Sequence, residues 1–334
     1  MSALDPASRV APVSTPQVDA RVEQPTQATA TVAPLPTGAY RPEPGYHPQM
    51  GALAFAPAGP NGGTVAATFA DGVRGQQSQA IDLDLMKLAN AAYDPSVTSI
   101  GGWTRVSDAD LRAAGIDPAT MHTPDTGFSA SVYGDGNGHY VLAFAGSNET
   151  QDWTGANFPQ GLGFDAEQYD QAVALAQDVV NSPFGDHGNL AITGHSLGGG
   201  LAATASLATG VPAVTFDASG VHDKTLERLG LDPGAAKADA ENGLIRRYHV
   251  DGDPLTAAQE DTPILSGIMP DAPGHEITLD SPLPPLKKPE WTWNPIEMAK
   301  READYVKQKA ERVADLHRQQ TMIDALQQQQ PWNR

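Results

Sequence analysis

The stretch Asn189-Leu-Ala-Ile-Thr-Gly-His-Ser196-Leu-Gly-Gly-Gly-Leu-Ala-Ala-Thr-Ala-Ser-Leu-Ala-Thr209 decides the fold. A short apolar run, Leu190 to Ile192, ends in Gly194-His195-Ser196-Leu197-Gly198, and small residues without proline or charge follow for more than two helical turns. The pattern predicts a strand, a sharp turn with serine at its apex, and a helix. A serine on such a turn takes strained backbone angles, and glycines two residues to either side let strand and helix approach where a Cβ would clash. The helix would aim its unpaired N–H groups and the positive end of its dipole at the turn, so the Leu197 N–H can stabilise an oxyanion beside Ser196.

Working outward, the neighbouring segments build a sheet around this turn. Upstream, Leu85, Leu88 and Ala92 recur at helical spacing from Ile81 until Pro95 stops the helix, and Ser107 caps a short helix that ends at Gly115. Phe128–Tyr133 and Tyr140–Phe144 read as a hairpin, and the loop holding Asp135 and Asn137 lacks the further acidic positions of a calcium loop. The chain leaves the second hairpin strand through Phe144-Ala-Gly-Ser147, and the Ser147 N–H is the candidate second oxyanion donor. A helix opening at Asp165, with Gln168 as its capping-box partner, would bury Tyr169, Val173, Ala176 and Val180. Downstream, 211–216 and 244–250 read as strands separated by a helix from Asp223 to Leu229. Strands alternating with helices around a serine elbow predict an α/β fold of the α/β-hydrolase class, a mostly parallel sheet with helices on both faces.

Residues 1–78 are rich in Pro, Ala, Thr and Gln without periodicity and read as a disordered tail. The folded domain is expected over 79–328, with 329–334 as a disordered end. The chain has no cysteine, which excludes disulfides and thiolate metal sites, and its formal net charge of −19 excludes nucleic acid as a natural partner. There is no run of eighteen apolar residues to cross a membrane. Met1–Arg9 has neither the basic nor the apolar part of a signal peptide, so export is expected by a non-classical route or the protein stays in the cytoplasm until then.

A neutral serine is a weak nucleophile and needs an imidazole base oriented by a carboxylate. In this fold the acid follows the serine along the chain, and the histidine follows the acid. The strand ending at Val250 runs into Asp251-Gly252-Asp253-Pro254, at a strand end where such sheets gather their sites. Asp253 is favoured because Pro254 fixes the backbone after it, whereas Asp251 before glycine reads as a turn former. Two histidines come later: His275 at a loop or strand start, and His317 in a helix-rich tail. The residues by themselves leave both open as the base. The chemistry calls for no metal and no cofactor.

Gly194-His-Ser-Leu-Gly-Gly199, Phe144-Ala-Gly-Ser147 and Tyr248-His-Val-Asp-Gly-Asp-Pro254 together resemble the class 3 lipase family, in particular its bacterial branch of phospholipase-like effectors, over residues 80–328. The resemblance implies Ser147 and Leu197 as the oxyanion donors and Asp253 as the acid. It also implies a histidine about as far beyond the acid as the acid lies beyond the serine. Ser196 and Asp253 are 57 positions apart, Asp253 and His317 are 64 apart, and Asp253 and His275 only 22, so the resemblance selects His317. Asp152 to Gly161 matches a structural loop of that branch. Ala145 stands where the family usually has arginine, and Arg318-Gln319-Gln320 replaces its short Ser- or Gly-Met step. The implied activity is that of a phospholipase A or lysophospholipase working at a lipid or membrane surface, with a secretion chaperone or an inhibitory immunity protein as partner. A soluble-substrate esterase or thioesterase, and an inactive hydrolase-fold binding protein, are the alternatives. From Pro295 to Asp315 a mixed-charge helix is expected, within a segment, Lys287 to Arg318, that carries eight Lys or Arg against six Asp or Glu.

Overall fold

A computed structural model describes residues 67–147, 166–257, 259 and 270–334. Along the chain run α1 (Phe69–Val73), α2 (Ile81–Ala91), β1 (Ser99–Ile100), β2 (Trp103–Arg105), α3 (Asp108–Ala113), β3 (His122–Thr123), β4 (Phe128–Gly134) and β5 (Tyr140–Phe144). They are followed by α4 (Ala166–Val180), β6 (Leu190–His195), α5 (Leu197–Thr209), β7 (Ala213–Phe216), α6 (Asp223–Arg228), α7 (Pro233–Asp239) and β8 (Ile245–Val250). β9 (His275–Leu279), α8 (Pro295–Leu316) and α9 (Gln319–Gln329) complete the series.

The strands form one sheet in the order β1-β2-β4-β5-β6-β7-β8-β9, with β3 beside β4. The five strands from β5 to β9 are parallel, and β1 to β4 extend the sheet antiparallel at one edge. Side chains alternate across a strand, so one strand serves two cores. On β5, Leu142 and Phe144 pack with α4 and α5, whereas Val141 and Ala143 pack with α2 and α9. Helices therefore cover both faces, as the α/β alternation predicts. The all-small sequence of α5 follows from its place: Leu197 to Leu207 is buried throughout, and larger side chains would hold it away from the sheet.

Several local expectations match. The Ser107 hydroxyl accepts the Asp110 N–H at the start of α3, and the Asp135 carboxylate accepts the N–H groups of Asn137 and His139, which makes that loop a turn. Others need correction. The folded chain starts ahead of residue 79: Thr68 and Asp71 form a reciprocal capping box around α1, and the Arg74 guanidinium donates to the Gly210 carbonyl at 2.7 Å. The end is also structured, with a 3-10 turn at Pro331–Asn333 whose Trp332 packs on the α9 side of the core. The Gln168 amide donates to the Thr126 carbonyl at 2.5 Å, and Val179 takes the buried position expected of Val180. Asp165 and the Asp152 to Gly161 segment lie outside the described residues.

One buried contact ties the start of the fold to the strand that carries the acid. The Arg246 guanidinium on β8 grips the Asp82 carboxylate of α2 in two places, Nη2 to Oδ1 at 2.5 Å and Nε to Oδ2 at 3.1 Å, and both side chains are fully buried. The Tyr248 hydroxyl donates to the same carboxylate at 2.7 Å, and Arg246 also donates to the carbonyls of Val73 and Gly75. So many partners satisfy a charge pair that would otherwise be costly to bury.

Candidate active site

Ser196 stands between β6 and α5 with φ 60° and ψ −127°, a conformation that side chains other than hydrogen rarely adopt. Two glycines make the turn sterically feasible. A Cβ on Gly194 would lie 2.0 Å from the Gly198 carbonyl oxygen, and one on Gly198 would lie 2.3 Å from that of Phe144. The second contact brings the Phe144–Ser147 segment against the N-terminus of α5. A Cβ on Gly146 would be 3.3 Å from the Leu197 nitrogen, so the residue preceding Ser147 lies against the start of α5. Ala145, in place of an arginine, is buried and donates its N–H to the Ser129 carbonyl at 3.0 Å.

The structure brings Ser196, His317 and Asp253 together from three distant stretches of chain. His317 Nε2 is 2.8 Å from Ser196 Oγ, and His317 Nδ1 is 2.6 Å from Asp253 Oδ1. His317 closes α8 and is buried, so it is not a solvated helical residue. Asp253 caps the helical turn Pro254–Thr256, its Oδ2 accepting the Thr256 N–H at 2.8 Å. Burial by itself would raise the Asp253 pKa. The His317 imidazole and the hydrogen bonds from His317 and Thr256 outweigh it and hold the carboxyl below its ordinary value. An ionised Asp253 accepts the Nδ1–H, which leaves Nε2 to accept the Ser196 proton.

The competing candidates fall elsewhere. Asp251 is exposed in the turn before Gly252. His275 opens β9 beside Arg246, at the sheet edge opposite the elbow, and its Nδ1 pairs with Glu241 at 2.7 Å. Four residues of strand, about 13 Å, separate that level from Val250.

A second layer, which sequence reasoning misses, holds the base. His195, the residue before the elbow serine, has its Nε2 3.0 Å from the His317 carbonyl oxygen and its Nδ1 3.2 Å from the Tyr93 hydroxyl. Burial, then the neighbouring His317, push the His195 pKa down to about 3, so the ring is neutral. With Nε2–H donating to the carbonyl, Nδ1 is left to accept from Tyr93. The Tyr93 hydroxyl also lies 3.1 Å from the His195 carbonyl oxygen, and the Gly146 N–H and Gln319 side chain bond to it. One phenol therefore links the end of α2, the elbow, the segment after β5 and α9.

Asp217 sits behind this layer at φ 43°, fully buried. Its Oδ1 accepts the Val250 N–H at 3.0 Å, while Oδ2 has no hydrogen-bond partner among the described residues and is 3.9 Å from His195 Nε2. Burial and the nearby Asp253 charge raise its pKa well above 3.8. Between 3.8 and the raised value, unfolding releases a proton that the folded chain keeps, so stability falls as pH rises through that window. Asp217→Asn keeps an acceptor for Val250 and abolishes this loss. By calorimetry the variant should melt several degrees above the parent at pH 7, and the two should converge as pH falls towards 4. Coincident melting at pH 7 would show that Asp217 carries no such cost.

Ligand atoms of His195, Asp217 and His317 come within 4.8 Å of one another. Both His317 ring nitrogens already face Ser196 and Asp253, and those of His195 face Tyr93 and a carbonyl, which leaves no common point for a metal ion.

Residues 85–280 match the Tle-like phospholipase domain, a family described as phospholipase-like. The chain belongs to this family. The Tle-like phospholipase match takes in Tyr93, Ser147, Ser196, Asp217 and Asp253, while His317 lies past its C-terminal limit. An extracellular phospholipase A1 of Serratia liquefaciens is 52% identical over 214 residues, covering 64% of this chain and 64% of that protein. The chain thus spans less than two thirds of that curated relative's length. Among solved structures, an esterase of Thermogutta terrifontis aligns over 45% of this chain and 63% of its own at 13% identity and TM-score 0.21. An esterase of Pyrobaculum calidifontis aligns over 71% and 89% at 15% identity and TM-score 0.26.

Proposed function

We propose that the protein is a serine lipid-ester hydrolase of phospholipase A1 type, removing the sn-1 acyl chain of a phospholipid. Support comes first from the unbroken chain Asp253–His317–Ser196, at 2.6 and 2.8 Å, ending on a strained elbow serine. The choice of substrate draws on the Serratia relative. Ser196 Oγ attacks the acyl carbonyl as its proton passes to His317 Nε2, and ionised Asp253 stabilises the imidazolium. The Leu197 and Ser147 N–H groups hold the oxyanion. The imidazolium then protonates the departing glycerol oxygen, and a water activated by the same nitrogen frees the fatty acid from Ser196.

The protein acts outside the cell that makes it, and a chaperone or an inhibitory partner keeps it from that cell's own membranes before export. Among the described residues no helix is long and apolar enough to cross a membrane.

Vesicles of phospholipids carrying different acyl chains at the two positions test this, with products identified by mass spectrometry. The parent should release the sn-1 fatty acid and leave the 2-acyl lysolipid, and Ser196→Ala should release nothing. Release of the sn-2 chain would make the enzyme a different phospholipase. Turnover of soluble esters alone would make it an esterase, and no turnover of either would leave a binding protein.

A further inference from the structure

The large apolar side chains that stand most exposed among the described residues all fall within one segment: Trp291 at 61%, Trp293 at 88%, Ile296 at 81%, Val306 at 63% and Val313 at 36%. The two indoles stack edge to face with centroids 4.0 Å apart, just before α8. They are held there. Arg301 donates to the Glu290 carbonyl at 2.9 Å and Arg312 to that of Pro284 at 2.5 Å, which clamps the incoming chain along the helix.

Helix α8 packs along the face of Met298, Arg301, Tyr305 and Arg312, which are half-buried. About a third of a turn away, Ile296, Ala299, Ala303, Val306, Ala310 and Val313 repeat at intervals of three and four and are exposed. This stripe is about 26 Å long. That is too long for a small ligand and suits a surface. The next member of the series, four residues beyond Val313, is His317, whose ring reaches Ser196.

Charge selects the occupant. The whole chain carries 40 acidic against 21 basic residues, yet Lys287 to Arg318 carries eight basic against six acidic. Lys300 and Lys307 border the stripe on one side and Lys309 on the other, while Lys287 and Lys288 precede the tryptophans. Glu302 also stands at the Lys309 border. Lysines at the edge of an apolar stripe lay their stems on apolar surface and lift their ammonium groups to headgroups, and tryptophan favours the bilayer interface. The part of the chain that an anionic bilayer repels least is therefore the part with exposed apolar side chains.

We propose that the exposed stripe of α8, with Trp291 and Trp293 at its head, is the surface by which the protein lies on an anionic phospholipid bilayer. The choice of lipid as partner rests on the lipid-ester function proposed above. Lying along this stripe, the bilayer meets the molecule on the side from which α8 sends His317 to the serine.

Full-length Ser196→Ala, which cannot degrade the vesicles, is sedimented with phosphatidylcholine vesicles with and without phosphatidylglycerol. It should bind, with a blue shift in tryptophan emission and higher affinity when phosphatidylglycerol is present. Adding Trp291→Ala and Trp293→Ala, or separately Val306→Glu, should weaken binding about tenfold or more at an unchanged melting temperature. Failure of the protein to bind, or binding by the surface variants equal to that of the parent, overturns the proposal. So does a dimer in light scattering that these substitutions dissociate without altering vesicle affinity, because the stripe is then a contact between copies. Ser196→Ala that binds alongside a parent that hydrolyses no lipid overturns the proposed activity and leaves the docking surface standing.

Discussion

Replacing Ser196 by alanine should lower ester turnover about a millionfold, and replacing it by glycine should do the same while making the protein more stable. Both changes remove the hydroxyl that faces His317 Nε2 at 2.8 Å, so no nucleophile remains for the oxyanion donors to serve. They differ in the backbone. Alanine keeps a Cβ at φ 60° and ψ −127°, so the strain of the elbow persists, whereas glycine adopts those angles freely. The glycine variant should gain roughly 1–3 kcal/mol relative to alanine, measured by denaturant unfolding at unchanged m-value. Residual turnover above about one thousandth of the parent's in either variant would point to another nucleophile.

His317→Ala should cost about ten-thousandfold or more in kcat, and His275→Ala should leave kcat within about twofold. The two histidines differ in what they touch. His317 bridges Asp253 and Ser196 in a buried site, whereas His275 pairs with Glu241 at the far sheet edge. Removing His317 also leaves Asp253 with Thr256 but without the imidazole that does most to lower its pKa, so the variant should be about a few kcal/mol less stable. Because serine and histidine act as one unit, Ser196→Ala/His317→Ala should be no slower than either single variant. Equal losses from the two histidine variants would mean that a structural histidine had been mistaken for the base.

How far the site can be read without coordinates depends on whether its constraints are local. The elbow is legible because its steric demands fall within five residues: Gly194 and Gly198 are where a Cβ would strike backbone. Asp253 is legible for the same kind of reason, since Pro254 fixes the turn that lets the carboxylate cap Thr256. His317 is not. Its partners lie 64 and 121 positions away, and only family resemblance prefers it over His275. Tyr93 reads as the frayed end of α2, and nothing adjacent predicts that its hydroxyl meets His195. The start of the fold left a signal that was there to use, since Thr68-x-x-Asp71 is a capping-box pattern, but the surrounding Ala and Gly hide it. Nor does anything in the sequence near Gln168 foretell that its amide reaches the Thr126 carbonyl, 42 positions away. The bacterial phospholipase branch of the resemblance is what the family match bears out.

The order in which the three segments leave the ribosome adds a consequence of their convergence. Ser196 and Asp253 are both synthesised before His317, which follows Asp253 by 64 residues, or about 3–13 s of translation. Throughout that interval a nascent chain can shape its elbow but has no imidazole to activate it. Tyr93, though made early, likewise waits for α9 before all its partners exist. The Asp253–His317–Ser196 array is thus completed by the member made last, and the delay is written into the order of the strands and helices.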